Sequence, residues 1–180
     1  MTTDALGEIT TCYRIRFERT SKHPAARVWR ALTNPEDLRV WMEGPARVDL
    51  RVGGTWQIDF DASPPGDVLD GVIIAVEPER RLAYAWGLSV CEWTIEPHDD
   101  GCTYTFVHNG LSDRGEGEEG LAAGWHAFVD QLDMHLDGVE FDREERAEAW
   151  RRMHEPYLER LNAALVKRAP GKAGPAEPGR

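Results

Sequence analysis

Short stretches of strictly alternating apolar and polar residues fill the first two thirds of the chain, and a helical period takes over only after Leu111. Between Ile9 and Arg19, Tyr13, Ile15 and Phe17 alternate with Arg14, Arg16 and Glu18, as in a strand with one wet and one dry face. Pro24 then opens a short helix, where its missing N–H costs nothing. The apolar stripe of that helix is Val28, Trp29 and Leu32. A second short helix is predicted from Pro35 through Leu38 to Trp41, with Thr33 or Asn34 as its cap. Strand signals resume at Val48 to Leu50, at Trp56, Ile58 and Phe60, and from Val68 to Val76, where Val72, Ile74 and Val76 are assigned to one face. Leu82, Tyr84 and Trp86 follow, then Cys91, Trp93 and Ile95, then Cys102, Tyr104, Phe106 and His108. Turns at Gly53-Gly54, Pro64-Pro65-Gly66, Glu77-Pro78 and Asp99-Asp100-Gly101 make this an antiparallel meander.

Leu121, Trp125, Phe128, Val129, Leu132 and Leu136 then form the apolar stripe of a helix over about 117–137. Asp130, Asp133 and Asp137 lie on its other side and read as a solvated face. The Gly- and Glu-rich segment before it, Ser112 to Gly120, is expected to be mobile. Residues 142–168 carry a second helical pattern through Trp150, Met153, Tyr157, Leu158, Leu161 and Leu165, which Pro156 should kink or divide. A one-sided sheet needs a cover, and the helix at 117–137 is the long amphipathic element that directly follows it. The expected fold class is therefore α+β: a curved antiparallel sheet of about six to seven strands over a long helix. The expected organisation is one domain over 1–140, a helical extension over 141–168, and a frayed Pro/Gly-rich tail over 169–180.

Charge narrows the range of partners. The net charge is −11, with 25 acidic and 12 basic residues in 1–140 against 7 and 9 in 141–180. An acidic body repels phosphate backbones, so nucleic acid is excluded as the expected partner. The mildly basic, apolar C-terminal helix suits an acidic surface, either its own body or that of a second copy in a homodimer. No apolar run reaches the roughly 18 residues of a membrane span, and Met1 to Gly7 lack the features of a signal peptide. The cytoplasm is the expected compartment. Cys12, Cys91 and Cys102 cannot all pair with one another and form no CxxC, so neither disulfides nor a thiolate zinc site is expected.

Several landmarks recur in the order of a known family. They are Val28-Trp29-x-Ala31-Leu32-Thr33-x-Pro35 with Trp41, Gly53-Gly54 before Trp56, and Gly71 to Arg81 with Glu77-Pro78-x-Arg80-Arg81-Leu82. Tyr84-x-Trp86, Thr103 to Gly110 with His108, and Gly124-Trp125 with Leu132 complete the set. On these, over roughly residues 10–137, the chain resembles the heat-shock-protein-90 ATPase-activator-like branch of the START-related (SRPBCC) helix-grip superfamily. The resemblance implies a helix-grip fold with a cavity between sheet and long helix. The superfamily hosts lipid carriers, polyketide cyclases and aromatases, and hormone receptors, so it implies no single activity. The separate N-terminal domain of the eukaryotic activators has no counterpart in the sequence, and the branch name is read as a record of fold.

The aromatic set is the strongest pointer to function. Trp41, Trp56, Ile58, Phe60, Ile74, Tyr84, Trp86, Tyr104, Phe106, His108, Trp125, Phe128, Val129 and Leu132 are the candidate ligand-binding residues, because apolar walls with a few polar anchors build small-ligand sites. His108, on the parity of Tyr104 and Phe106, is the candidate to orient a ligand carbonyl or to act as acid or base. Tyr84 and Tyr104 are candidates to bond a ligand hydroxyl. No metal or cofactor is expected: His126 and His135 are nine apart on a helix, no HExxH occurs, and GxSxG, Walker and GxGxxG patterns are missing. The expected function is binding of a small hydrophobic molecule in an internal cavity entered near Ser112–Gly120. The alternatives are a cyclase, aromatase or dehydratase type of enzyme, which turnover would reveal, and a chaperone cofactor, which ATPase stimulation would reveal.

Overall fold

The computed structural model of the chain describes residues 8–10, 14–60, 68–110, 118–141 and 143–168. The strands are β1 (Glu8–Thr10), β2 (Arg14–Ser21), β3 (Ala46–Val48), β4 (Thr55–Asp59), β5 (Val68–Glu77), β6 (Arg81–Trp86), β7 (Ser89–His98) and β8 (Gly101–Asn109). The helices are α1 (Ala25–Thr33), α2 (Pro35–Trp41), α3 (Glu118–Leu136) and α4 (Arg143–Arg168). All eight strands join one antiparallel sheet in the order β1-β2-β8-β7-β6-β5-β4-β3. β2 lies beside β8 at one end and β3 closes the other, so α1 and α2 carry the chain from one side of the sheet to the other. The fold is the helix grip, α+β as expected, with one strand more than the sequence suggests. The stretch from Ile9 to Arg19 is not a single strand, because β1 folds back on β2 and pairs Ile9 with Ile15.

Local chemistry explains the two short helices. Asn34, rather than Thr33, caps α2, its side chain accepting from the backbone N–H of Glu36 and Asp37. The last carbonyls of α1 would be left without partners by the helix end. Trp41 Nε1 donates to Ala31 O at 2.9 Å, and Trp56 Nε1 donates to Leu32 O at 3.0 Å. Both indoles are fully buried, so each does what phenylalanine could not. Trp56→Phe is expected to cost about 1–3 kcal/mol, because it strands a buried carbonyl. Urea unfolding checks this, and an unchanged midpoint would show that the bond is not needed.

Asp37 joins three helices. Its carboxylate accepts from Arg27 Nη1 at 3.1 Å and Arg30 Nε at 2.9 Å, and lies 2.7 Å from His135 Nε2 of α3. Burial pushes its pKa up, but the hydrogen bonds from His135, Arg27 and Arg30 outweigh this and hold it below the ordinary value.

The dry face follows the alternation in β2, β4, β7 and β8, where Ile15, Phe17, Trp56, Ile58, Cys91, Trp93, Ile95, Cys102, Tyr104, Phe106 and His108 are buried. β5 departs from it. Leu69, Gly71 and Ile73 point inward, whereas Val72 and Ile74 are 53% and 46% exposed. A β-bulge between Ile73 and Ala75 then resets the register, so that Val76 returns to the core. Ile74 is therefore not a cavity residue. Gly71 has a steric role: a Cβ there would lie 2.9 Å from both the Tyr84 ring and Trp56 O. Its absence lets Tyr84 stack on Trp56 at 4.4 Å and 10°.

α3 lies across the concave face with Trp125, Val129, Leu132 and Leu136 buried. Its other side is buried too, because α4 packs along it. Met153, Tyr157 and Leu161, spaced by four, are the buried stripe of α4, and Tyr157 lies edge-on to Phe17 of β2. α4 runs through Pro156 as one element. The carbonyl that Pro156 leaves unbonded belongs to the exposed Arg152, where water can satisfy it. Among the described residues, no helix is long and apolar enough to cross a membrane.

Candidate functional site

Beside the N-terminal half of α3 the grip opens into a cleft of about 430 Å³. Met42 after α2, Phe60 after β4, Val68 and Leu69 of β5, and Trp86 of β6 form one side. Leu121, Gly124, Trp125 and Phe128 of α3 form the other. Helical spacing brings the last four together, since 121, 124, 125 and 128 share one face. Phe60 and Phe128 stack across the cleft at 5.5 Å. None of these side chains carries a titratable group.

His108 stands behind two of the cleft rings. Trp125 Nε1 donates to His108 Nδ1 at 3.1 Å, which makes Nδ1 the acceptor and places the proton on Nε2. Nε2 then donates to Ser89 Oγ at 2.8 Å, and Ser89 Oγ donates to Trp86 O at 2.8 Å. The imidazole also stacks on the Trp86 ring at 5.5 Å. Burial lowers its pKa to about 4. Both ring nitrogens are thus engaged within the protein and the ring is 1% exposed. His108, expected to orient a ligand or move a proton, thus lies behind the cleft wall with its polar atoms turned to Trp125 and Ser89.

The other predicted site residues divide by depth. Phe60, Trp86, Trp125 and Phe128 line the cleft. Trp41, Trp56, Ile58, Tyr84, Tyr104, Phe106, Val129 and Leu132 are buried in the core. Trp93 sits among their rings, 4.5 Å from Phe106 and 6.1–6.5 Å from Trp41, Tyr104 and Trp125. Tyr84 Oη and Trp93 Nε1 are buried with no hydrogen bond of good geometry. Burial pushes the Tyr84 hydroxyl and the neighbouring Cys91 thiol well up. Tyr104 is committed elsewhere, donating to Asp133 Oδ1 at 2.6 Å. Met42, Val68, Leu69, Leu121 and Gly124 are cleft residues absent from the predicted set. Of the predicted lid, residues 112–117 lie outside the described residues, and Glu118 to Gly120 are the first turn of α3.

The acidic side of α3 is a paired face, half-buried at Asp130 and Asp133 and exposed at Asp137. The Arg19 guanidinium lies 3.3 Å from Asp130 Oδ1 and 3.5 Å from Asp133 Oδ2. His126 Nε2 lies 3.3 Å from Asp130 Oδ2, and its Nδ1 is 2.9 Å from the Tyr157 hydroxyl of α4. Asp137 meets Lys22 and His23, at 3.0 and 2.7 Å. Arg19 was legible as an anomaly, being a charge on the inward parity of Ile15 and Phe17. Among the described residues, no group of three or more His, Cys, Asp or Glu side chains is placed to hold a metal ion.

Residues 22–137 match the family described as activator of Hsp90 ATPase homolog 1-like protein. The chain belongs to that family. The family is part of the SRPBCC superfamily, and the match ends at the last turn of α3, so α4 lies outside it. Among solved structures, MLL2253 from Mesorhizobium loti is similar at 29% identity, covering 71% of this chain and 99% of that one, with a TM-score of 0.63. DynU16, a protein of the dynemicin biosynthetic locus, is similar at 27% identity, covering 69% of this chain and 47% of that one, with a TM-score of 0.61. CalU16 from Micromonospora echinospora shares the fold at 21% identity, covering 83% and 88%, with a TM-score of 0.64. No curated protein matches the chain.

Proposed function

We propose that this member of the family binds a small apolar molecule in the cleft between β4–β6 and α3, as a binder rather than a catalyst. The observation that carries this reading is the lining: apolar side chains on both sides, four of them aromatic, with Trp86 and Trp125 held by a neutral, fully bonded His108. Rings fixed before binding lose little entropy when a ligand stacks between them. The likeness to DynU16, a protein of a biosynthetic locus, favours a small-molecule role over a chaperone role. Proton transfer on a bound substrate would need a titratable group at the cleft, and among the described residues its lining has none.

A ligand burying about 200–300 Å² of apolar surface gains about 5–7 kcal/mol before association costs, which corresponds to micromolar or weaker binding. Titration calorimetry with 2-naphthol is expected to show such binding, and Leu121→Trp, which fills the cleft from α3, should weaken it at least tenfold. Equal binding by both proteins, or no heat from the wild type, would refute the reading.

A further inference from the structure

Directly beyond the cleft, α4 creates a second apolar compartment. A groove of about 400 Å³ runs between α3 and α4, lined by Gly124, Ala127, Phe128, Ala147, Trp150 and Arg151. Gly124 and Phe128 line both the cleft and the groove, so the two spaces meet over them. Gly124 is the low point between them. A Cβ built on it would meet nothing within 4 Å, and a helical glycine otherwise costs about 0.5–1 kcal/mol relative to alanine. The far wall is Trp150, a 39% exposed indole. Arg151 completes the lining: its Nε donates to Ala147 O at 3.1 Å, and among the described residues no carboxylate lies within ion-pair distance of its guanidinium. α4 also lies beyond the family match, so the groove is an addition to the shared cleft.

We infer that the ligand is an elongated amphiphile with an acidic head, its apolar body in the cleft, its chain crossing Gly124, and its head at Arg151. The inference rests on the proposed cleft binding and specifies its ligand class. Each compartment alone suits a short molecule, and their continuity admits one that is longer than either. An exposed arginine in the lining of an apolar groove offers a carboxylate a charged hydrogen-bond donor.

Titration calorimetry with saturated fatty acids from octanoate to tetradecanoate, below their critical micelle concentrations, tests the idea in the full chain. Affinity should rise about fourfold per methylene through the series. Ala147→Trp, which fills the groove from α4, should flatten that rise. Trp150→Ala, which removes the far wall, should reduce it, and serves as the second variant if the first fails to fold. Arg151→Gln should abolish the preference for dodecanoate over dodecanol. A series that plateaus in the wild type, a slope unchanged in both groove variants, or an acid preference that survives Arg151→Gln would each overturn the inference. Binding of 2-naphthol with no binding of any fatty acid would overturn it while leaving the cleft reading intact. Failure of both probes would overturn both.

Discussion

Leu132→Ala is expected to destabilise the protein by about 3–5 kcal/mol, the upper part of the range for a buried leucine. Leu132 is fully buried on the concave side of α3, within the same cluster as Trp93, Phe106 and Val129. The cost of such a truncation depends on whether the surroundings can collapse into the space. Here they cannot easily do so, because α3 is held along its length. Trp125 bonds His108, Asp130 and Asp133 face Arg19, His135 faces Asp37, and Asp137 faces Lys22 and His23. The rings on the sheet are wedged against one another and leave little room to turn. Urea unfolding with an unchanged m-value measures the loss. Ile74→Ala supplies the contrast: its side chain is 46% exposed at the bulge, and the change should cost less than about 1 kcal/mol. Comparable losses in the two variants would contradict the inward and outward assignments of β5 and α3.

Acid should weaken the fold through His108. Its pKa is about 4 in the folded protein against an ordinary 6.5, because burial disfavours the charged ring. Between those values the unfolded chain takes up a proton that the folded chain refuses. Stability is therefore fully present above about pH 6.5 and falls as the pH drops toward 4. At about 1.4 kcal/mol per pH unit, the loss over that window is about 3 kcal/mol. Protonation also converts Nδ1 from acceptor to donor, which breaks the bond from Trp125 and frees a cleft wall. Affinity for 2-naphthol should therefore hold down to about pH 5 and fall only as the pH drops through about 4, where the folded-state imidazole takes up its proton. His108→Gln keeps a polar side chain but cannot titrate, so its stability should lack this part of the slope. The difference between the wild-type and variant profiles isolates His108 from the other titrating groups. Parallel profiles would show that His108 is not the group responsible.

Much of the architecture was legible from local periodicity. Strand alternation and the spacing of Trp125, Phe128, Val129, Leu132 and Leu136 are set by backbone geometry, which repeats every two residues in a strand and every 3.6 in a helix whatever the neighbours. The inward sets of β4, β6, β7 and β8 could therefore be read directly, and so could the need for a helix to cover them. β5 could not be read this way. Val72, Ile73 and Ile74 are three consecutive apolar residues, so alternation does not separate the faces, and the bulge that settles the matter depends on pairing with β6.

The site was legible only in part. That aromatic rings would line a cleft followed from composition and parity. Which rings do so depended on where the sheet and α3 part, and this selects Phe60, Trp86, Trp125 and Phe128 from a longer list. Three further features depend on residues distant in sequence. Asp130 and Asp133 meet Arg19 more than a hundred positions away, Tyr157 reaches His126 from a separate helix, and the tautomer of His108 is set by Ser89 and Trp125. Periodicity determined the elements and their dry faces because it is a property of each segment alone. Charge pairing, burial of the imidazole and the open space of the cleft needed the tertiary structure, because each is a relation between segments that only packing brings together.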